Sequence, residues 1–199
     1  MKKVAASILT VLGIFSDAAW AEDSQNLYFG LDIFGTSNQF DYEYAGTTKS
    51  EDFDSAGFKL VFGALLVYDM RLQGYLQSEK FNEPLFDDSH DRLTEVGLDL
   101  IKAFPVSDTF SPFLQGGIGY GMMDLTAAQY FDSSVEEFNL RIGVGVMYKA
   151  SDAIELLTGL DLQWRRWSDL DYYDTFPNTR TLQTKDTSER FYVGINYLF

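Results

Sequence analysis

The residue types best suited to chemistry in this chain are a histidine and a serine that stand side by side. His90 is the only histidine and follows Ser89, so a nucleophilic mechanism based on imidazole would have to use these two residues. Such a mechanism needs a base that reaches the nucleophile and a third group that orients the base. Adjacent positions in a polar segment do not provide that geometry. We therefore expect no catalytic residues and no enzyme activity.

Three spaced glycines imitate a phosphate-binding loop. A dinucleotide or phosphate loop must lead from a strand into a helix. Gly117, Gly119 and Gly121 instead fall at every second position inside a predicted strand. Small residues at this period make room for bulky or charged neighbours on the same face. The pattern therefore predicts a packing role and no cofactor.

Acidic residues cluster in three polar segments, where they suggest a divalent cation. Ca²⁺ and Mg²⁺ prefer oxygen ligands, but the spacing here matches no ion-binding loop such as the EF-hand. We favour solvated acidic loops and no metal site, with cation bridging to lipid phosphates as the alternative. The clusters are Glu51, Asp52 and Asp54; Asp87, Asp88 and Asp91; and Asp169, Asp171 and Asp174.

The last nine residues indicate the kind of element that carries these groups. Apolar residues occupy every second position, small or polar residues lie between several of them, and the sequence stops on an aromatic ring. A strand that is apolar along one face in this way is typical of contact with lipid. The apolar positions are Phe191, Val193, Ile195, Tyr197 and Phe199.

The beginning of the chain resembles a secretory leader. Lys2 and Lys3 precede an apolar run, and Ala19 and Ala21 are the small residues that a signal peptidase needs. We therefore expect a signal peptide over 1–21 and a single β-barrel domain over 22–199. The absence of cysteine excludes disulfides, and a net charge of -15 argues against nucleic acid as a partner.

Period-two segments predict eight strands, whose connections alternate strictly between short and long. Outer-membrane barrels have this alternation, with short periplasmic turns and long external loops, so we predict an all-β, eight-stranded antiparallel up-and-down transmembrane barrel. The predicted strands are 27–34, extending through 42, 58–68, 71–79, 94–100, 114–122, 137–148, 155–165 and 190–199. The predicted long loops are 45–55, 80–91, 124–134 and 168–187.

Folding two of the tight hairpins brings opposite charges together on the inner face. We centred the second-to-third turn on Asp69 and the sixth-to-seventh turn on Ser151. A charge inside a narrow barrel must be paired or hydrated, because desolvating it alone costs several kcal/mol. The predicted ion pairs of the lumen are Lys59 with Glu79, Arg141 with Asp161, and Glu137 with Arg165.

Aromatic residues concentrate where the seventh strand is expected to leave the membrane. Trp164, Trp167, Tyr172 and Tyr173 fit an interfacial aromatic girdle. Of the two arginines between the tryptophans, only Arg166 is predicted to face outward.

Together these features resemble the small outer-membrane β-barrel family of Gram-negative bacteria, which includes OmpA-like, OmpX-like and OmpW-like barrels. The resemblance covers 22–199 and implies location in the outer membrane, contact with its lipid and lipopolysaccharide, and insertion as a monomer. In that family the final strand is read by the barrel assembly machinery. Matched to this sequence, the assembly signal is Phe191, Val193, Ile195, Tyr197 and Phe199.

The fold leaves three functions open. A charged, filled interior and four polar loops favour a structural or surface-interaction protein. A narrow passive channel for small or hydrophobic solutes is the first alternative, and it requires a continuous or laterally opening cavity. A lipid A-modifying enzyme is the second alternative, because some eight-stranded barrels deacylate lipid A with a Ser-His-acid arrangement on their strands.

Overall fold

A computed structural model describes residues 27–44, 47–86, 91–125, 131–175 and 178–199. The predicted signal peptide, 1–21, lies outside the described residues, and so do Ser89 and His90. The description therefore covers the predicted barrel and most of its connections.

Nine antiparallel strands form the described chain, and eight of them close into a barrel. Neighbours in sequence pair in order up to β7, which pairs with β9, and β9 pairs with β1 to close the ring. The predicted fold class is confirmed. The strands are β1 Leu27–Tyr44, β2 Thr47–Leu65, β3 Met70–Phe81, β4 Arg92–Ala103, β5 Phe110–Asp124, β6 Ser134–Lys149, β7 Ile154–Trp167, β8 Leu170–Thr175 and β9 Asn178–Leu198.

The two faces of the wall separate apolar from polar side chains as the period-two pattern predicts. On β6, Phe138, Leu140 and Ile142 are about half exposed, whereas the alternating Asn139 and Arg141 are fully buried. A soluble protein would bury the apolar set. The apolar exterior is therefore the lipid-facing surface of a membrane barrel. None of the described helical segments has the length and hydropathy needed to cross a membrane.

Short turns join the strands at one end of the barrel. The turn from β2 to β3 is a single 3-10 turn, Val67–Asp69, in which Tyr68 and Asp69 have left-handed φ values of 59° and 55°. In the turn from β6 to β7, Lys149 Nζ lies 2.8 Å from Asp152 Oδ1 and this hydrogen bond lowers the pKa of Asp152. We call this the periplasmic end and the opposite end the external end.

At the external end, two of the four predicted long loops are instead strand. The segment 47–55 belongs to β2, and 178–187 belongs to β9, with β8 as its short partner. The described residues of the other two, 82–86 with Asp91 and Leu125 with 131–133, do lie between strands. The first and last hairpins therefore extend beyond the other strands as one sheet with the order β2-β1-β9-β8.

Candidate functional site

The interior of the barrel is the candidate site, because its side chains decide whether anything passes through. From the external end inward it contains an apolar plug, a layer of charged and amide groups, and a mixed aromatic region.

The apolar plug fills the external end. Leu85 and Phe86, from the segment after β3, fold into the mouth, where the Phe86 ring lies 5.2 Å from that of Trp167. Trp167 also donates a 2.9 Å hydrogen bond from Nε1 to Asp186 Oδ2 at the border with the charged layer. The plug consists of Phe40, Phe53, Phe81, Leu85, Phe86, Leu93, Met123, Leu125, Val135, Trp167 and Leu170.

Glu79 organises the upper part of the charged layer. Its Oε2 accepts hydrogen bonds from Arg165 Nη2 at 2.5 Å and from Arg190 Nη2 at 3.4 Å, while Oε1 accepts one from Ser55 Oγ at 2.6 Å. Gln163 Oε1 accepts from the same two guanidiniums at 3.3 and 3.0 Å. One carboxylate on β3 therefore joins β2, β7 and β9 across the lumen.

Asp99 organises the lower part of the layer. Arg141 donates from Nε to Asp99 Oδ1 at 3.0 Å, and its guanidinium lies 4.2 Å from the centre of the Tyr75 ring. Lys59 Nζ lies 3.0 Å from Asp32 Oδ2 and 3.7 Å from Asp99 Oδ2. All these charged groups are buried and paired, as burial of ions requires.

The region towards the periplasmic end closes the rest of the lumen. Arg71 makes a two-pronged ion pair with Glu155, with N–O distances of 2.5 and 2.8 Å. Between this pair and the charged layer lies an enclosed cavity of about 10 Å³, lined by Asp32, Lys59 and Tyr192 among others. The space between this pair and the charged layer therefore has room for about one water molecule.

Glycines on the inner face explain how such large side chains fit. A Cβ at Gly117 would lie 2.0 Å from Asp99 Oδ1, and a Cβ at Gly159 would lie 2.4 Å from the Tyr192 hydroxyl. Each large residue is the ladder partner of the glycine that it covers. The same relation joins Tyr28 with Gly63, Tyr75 with Gly97, Phe34 with Gly57, Phe113 with Gly145, Asp161 with Gly143 and Glu137 with Gly121.

The predicted ion pairs need correction, although all six residues are buried in the lumen. Both tight hairpins are shifted by two residues from the predicted register, so that the ladder partners are Gln77 for Lys59, Gln163 for Arg141 and Trp167 for Glu137. Arg165 pairs with Glu79, Arg141 with Asp99, and Lys59 with Asp32. Asp161 accepts a hydrogen bond from Gln115, and Glu137 accepts one from Asn139.

Residues of the network were missed for two reasons. Some bonds cross the lumen between strands that are not neighbours, and others join neighbouring strands that no tight hairpin connects, as Asp32 does with Lys59 and Asp186 with Arg165. Arg190 on β9 reaches β3, and Arg71 on β3 reaches Glu155 on β7. Folding hairpins tests neighbouring strands only. The signal that could have identified these residues is their inward parity, which they share with the predicted set. The missed charges are Asp32, Arg71, Glu95, Asp99, Glu155, Asp186 and Arg190.

The other predicted residues divide between exterior and interior. The five residues of the proposed assembly signal face outward and are 40–54% exposed. Trp164 is 42% exposed, as a girdle residue should be, but Trp167 is 2% exposed and belongs to the plug. Its odd number places it on the inner face of β7. The described residues contain no group of three or more histidine, cysteine or acidic side chains able to hold a metal ion.

Comparisons with known proteins identify the fold. No protein-family model and no curated protein sequence matches the chain. Among solved structures, the outer membrane protein AlkL matches with a TM-score of 0.57 and 13% identity over 90% of this chain and 92% of AlkL. OprG from Pseudomonas aeruginosa matches with 0.55 and 12% over 87% and 96%. Neisserial surface protein A matches with 0.53 and 16% over 85% and 97%.

These structures confirm the predicted resemblance at the level of the fold. The chain has the eight-stranded architecture of the small outer-membrane barrels. Its apolar exterior agrees with the predicted location in the outer membrane. Identities of this size carry no information about the specific role.

Proposed function

We propose that this chain is a closed outer-membrane barrel that acts through the sheet extending from its external end. The observation that carries the proposal is the contrast between a filled interior and an extended, polar hairpin sheet. The interior offers a solute little space, whereas the sheet offers an exposed surface on which a partner can bind.

The free edge of β2 is the part of this sheet best suited to binding. β3 pairs with β2 only as far as Ser55, so the segment from Thr47 to Phe53, which pairs with β1 on one side, has no described strand on its other side. Unpaired backbone N–H and C=O groups along such an edge are a template for an added strand. The favoured partner is therefore an extended segment of another protein.

The charge of the sheet narrows the partner further. On the outward side of this sheet, the β1–β2 hairpin carries four exposed carboxylates, and net charge of one sign favours encounter with the opposite sign. An extended segment with lysine or arginine at alternate positions would satisfy both the edge and the charge. The carboxylates are those of Asp41, Glu43, Asp52 and Asp54.

A pair of substitutions at Asp52 separates the edge from the charge. The backbone N–H and C=O of Asp54 point to the β3 side, where they contact Asn82, so the N–H of Asp52 points to the same side. Asp52→Pro should abolish binding of a short alternating Lys-Val peptide to the refolded barrel, whereas Asp52→Asn should weaken it severalfold. Equal binding by wild type and Asp52→Pro would contradict the proposal.

The narrow passive channel is the alternative with a direct test. Because the cavity near Lys59 is only about 10 Å³ and the plug fills the external end, we expect the conductance to equal that of a bilayer without protein. Planar-bilayer recordings on refolded protein measure this, and stable single-channel steps would favour the channel instead.

We also propose that the outward residues of β9, together with Phe199 directly after it, serve as the assembly signal. Phe199 is 47% exposed, and its ring lies 5.9 Å from that of Tyr197. Phe199→Ala should slow insertion into proteoliposomes that contain the assembly machinery and leave spontaneous folding in detergent unchanged. A change of equal size in both would indicate a purely structural role.

A further inference from the structure

The buried lumen contains more acids than bases. Among the residues that the structure describes, eight acids and five cations have their charged groups inside the barrel, which leaves three acids in excess. An unbalanced charge in such a place carries a large desolvation cost. Protons or other cations on some of the carboxyl groups would remove this cost. The acids are Asp32, Glu79, Glu95, Asp99, Glu137, Glu155, Asp161 and Asp186, and the cations are Lys59, Arg71, Arg141, Arg165 and Arg190.

Most of the excess lies in the upper part of the charged layer, directly below the plug. Arg165 and Arg190 both contact the carboxylate of Glu79. Arg165 Nη1 also lies 3.9 Å from Asp186 Oδ1. Two acids therefore already balance the two guanidiniums of this part. The acids left over are Glu95 and Glu137.

These two acids flank a single glycine on the inner face. Gly121 on β5 is the ladder partner of Glu95 on β4 and of Glu137 on β6. The glycine leaves room for a carboxyl group, because a Cβ there would lie 2.6 Å from Glu137 Oε1. Two carboxyl groups that share a buried site do not both ionise readily, since each negative charge opposes the other. One of the two is therefore expected to hold a proton.

The hydrogen bonds of Glu95 favour its ionised form. Its Oε1 accepts a 2.5 Å bond from the Tyr75 hydroxyl, and its Oε2 accepts a 3.4 Å bond from Gln77 Nε2. Arg141 Nη2 lies 4.0 Å from Oε1. Donors and a cation directed at a carboxylate stabilise its charge. The proton therefore belongs on the other acid of the pair.

Glu137 has the surroundings of an un-ionised acid. It is 1% exposed, and no cationic nitrogen of a described residue lies within 4 Å of its oxygens. Two acids and one cation face it, and that cation already contacts Glu79. Asp161 also has no ion pair within 4 Å in the described chain, but it faces three cations and one acid. The groups facing Glu137 are Glu95 on β4, Arg165 on β7 and Asp186 on β9, and those facing Asp161 are Lys59, Arg141, Arg190 and Asp99.

Asn139 offers the acceptor that an un-ionised acid needs. Its Nδ2 lies 3.1 and 3.4 Å from the two oxygens of Glu137, whereas its Oδ1 is buried and accepts no hydrogen bond. A buried amide oxygen without a donor is unfavourable. An un-ionised carboxyl group has an O–H donor, and a primary amide can bond to its carbonyl and its O–H at once. A proton on Glu137 would therefore satisfy both side chains.

We propose that Glu137 binds a proton in the folded barrel at neutral pH and donates it in a hydrogen bond to Asn139, which makes the stability of the barrel sensitive to pH. In the unfolded chain a glutamate ionises with a pKa of about 4.3. Above that pH the folded state holds one proton more than the unfolded state. Stability is therefore lost as the pH rises. An ionised Glu137 would leave an unbalanced charge beside its ladder partner Trp167, at the border of the plug.

The first test measures urea unfolding of the refolded barrel in lipid vesicles between about pH 5.5 and 7, where an unfolded glutamate is ionised. Each proton that only the folded state holds raises the unfolding equilibrium constant about tenfold per pH unit. Glu137→Gln, whose amide can still donate to Asn139, should remove about one such factor of ten per pH unit. Glu189→Gln, on the exposed face of β9, is the matched control and should leave the pH dependence unchanged.

Infrared spectroscopy detects the proton directly and does not depend on unfolding. The folded wild type at pH 7 should show the carbonyl band of an un-ionised carboxyl group. This band should weaken in Glu137→Gln and remain in Glu189→Gln. Replacing Na⁺ in the buffer with choline should change neither the band nor the pH dependence of unfolding, which separates a bound proton from a bound metal cation.

A wild type without the un-ionised carboxyl band at pH 7 would overturn the proposal, whether or not the variant folds. Equal pH dependence of unfolding in wild type and folded Glu137→Gln would overturn it as well. A band or a stability that depends on Na⁺ would show that a metal cation, and not a proton, balances the excess acids.

Discussion

The charged layer and the apolar plug exclude solvent from the same lumen by different physical means. In the charged layer, directional bonds such as those of Glu79 to Arg165 and Arg190 fix the distance between opposite walls. In the plug, Phe86 and Trp167 contribute contacts that depend on area and little on direction. The charged layer therefore determines the shape of the barrel. The plug seals the external mouth, partly with Phe86 from the segment that follows β3.

The largest effect is expected from removing the charge of Glu79, the carboxylate that two arginines of the charged layer share. Glu79→Gln keeps the shape but leaves Arg190 with no carboxylate of a described residue within 4 Å, and Arg165 with only that of Asp186, at 3.9 Å. Breaking a buried ion pair in this way costs about 3–5 kcal/mol of unfolding free energy. Urea unfolding in lipid vesicles measures it. Glu189→Gln, on the exposed face of β9, is the matched control and should stay within about 0.5 kcal/mol.

A smaller effect is expected from the plug. Phe86→Ala removes the ring that packs on Trp167 and should cost about 3 kcal/mol, the lower end for a buried phenylalanine. Conductance in planar bilayers should stay at background, because the charged layer below remains closed. An open channel in this variant would show that the plug alone seals the barrel. Val106→Ala, in an exposed turn, is the apolar control.

A carboxylate of the charged layer that has no ion pair within 4 Å among the described residues should matter less than Glu79. Asp161 accepts a hydrogen bond from the neutral amide of Gln115. Asp161→Asn retains an acceptor there and should cost about 1 kcal/mol, the difference between a charged and a neutral hydrogen bond. The same urea titration measures it. A loss as large as that of Glu79→Gln would mean that total interior charge, and not shared bonds, stabilises the layer.

The smallest effect is expected outside both regions and has the opposite sign. Tyr68 is 82% exposed in the β2–β3 turn with a left-handed backbone, a conformation that asparagine tolerates better than tyrosine. Tyr68→Asn should raise the unfolding free energy by up to about 1 kcal/mol. The bond that Lys102 donates to the backbone oxygen of residue 68 does not involve the side chain and should remain. Destabilisation would show that the ring itself contributes at the membrane surface.

Within the membrane-spanning part of the strands, the sequence predicted the face that the residues occupy, because alternation has a period of two and the lipid favours apolar side chains. It also predicted that inner glycines accommodate large neighbours, as Gly117 does for Asp99. Register was less accessible, since a shift of two residues preserves the facing of every side chain. The ladder partner of Lys59 is therefore Gln77 and not Glu79.

The external hairpins escaped prediction for a related reason. Above the membrane both faces of a strand meet water or the plug, so the segment around Thr184 and Asp186 shows no apolar alternation. Trp167 was assigned to the membrane surface from its residue type, although its parity placed it inside. Contacts across the lumen, such as that of Arg190 with Glu79, depend on the closed ring and have no local pattern in the sequence.

The ion pairs of the charged layer have a consequence for the order of folding. Arg141, Arg165 and Arg190 all come from the second half of the chain, and their shortest ion pairs run to Glu79 and Asp99 in the first half. A chain that ends before β6 has acidic groups on its inner face and none of these guanidiniums to balance them. The last of these guanidiniums, that of Arg190, is supplied by β9, the strand that closes the ring against β1, so that incomplete chains are penalised and the finished polypeptide is selected.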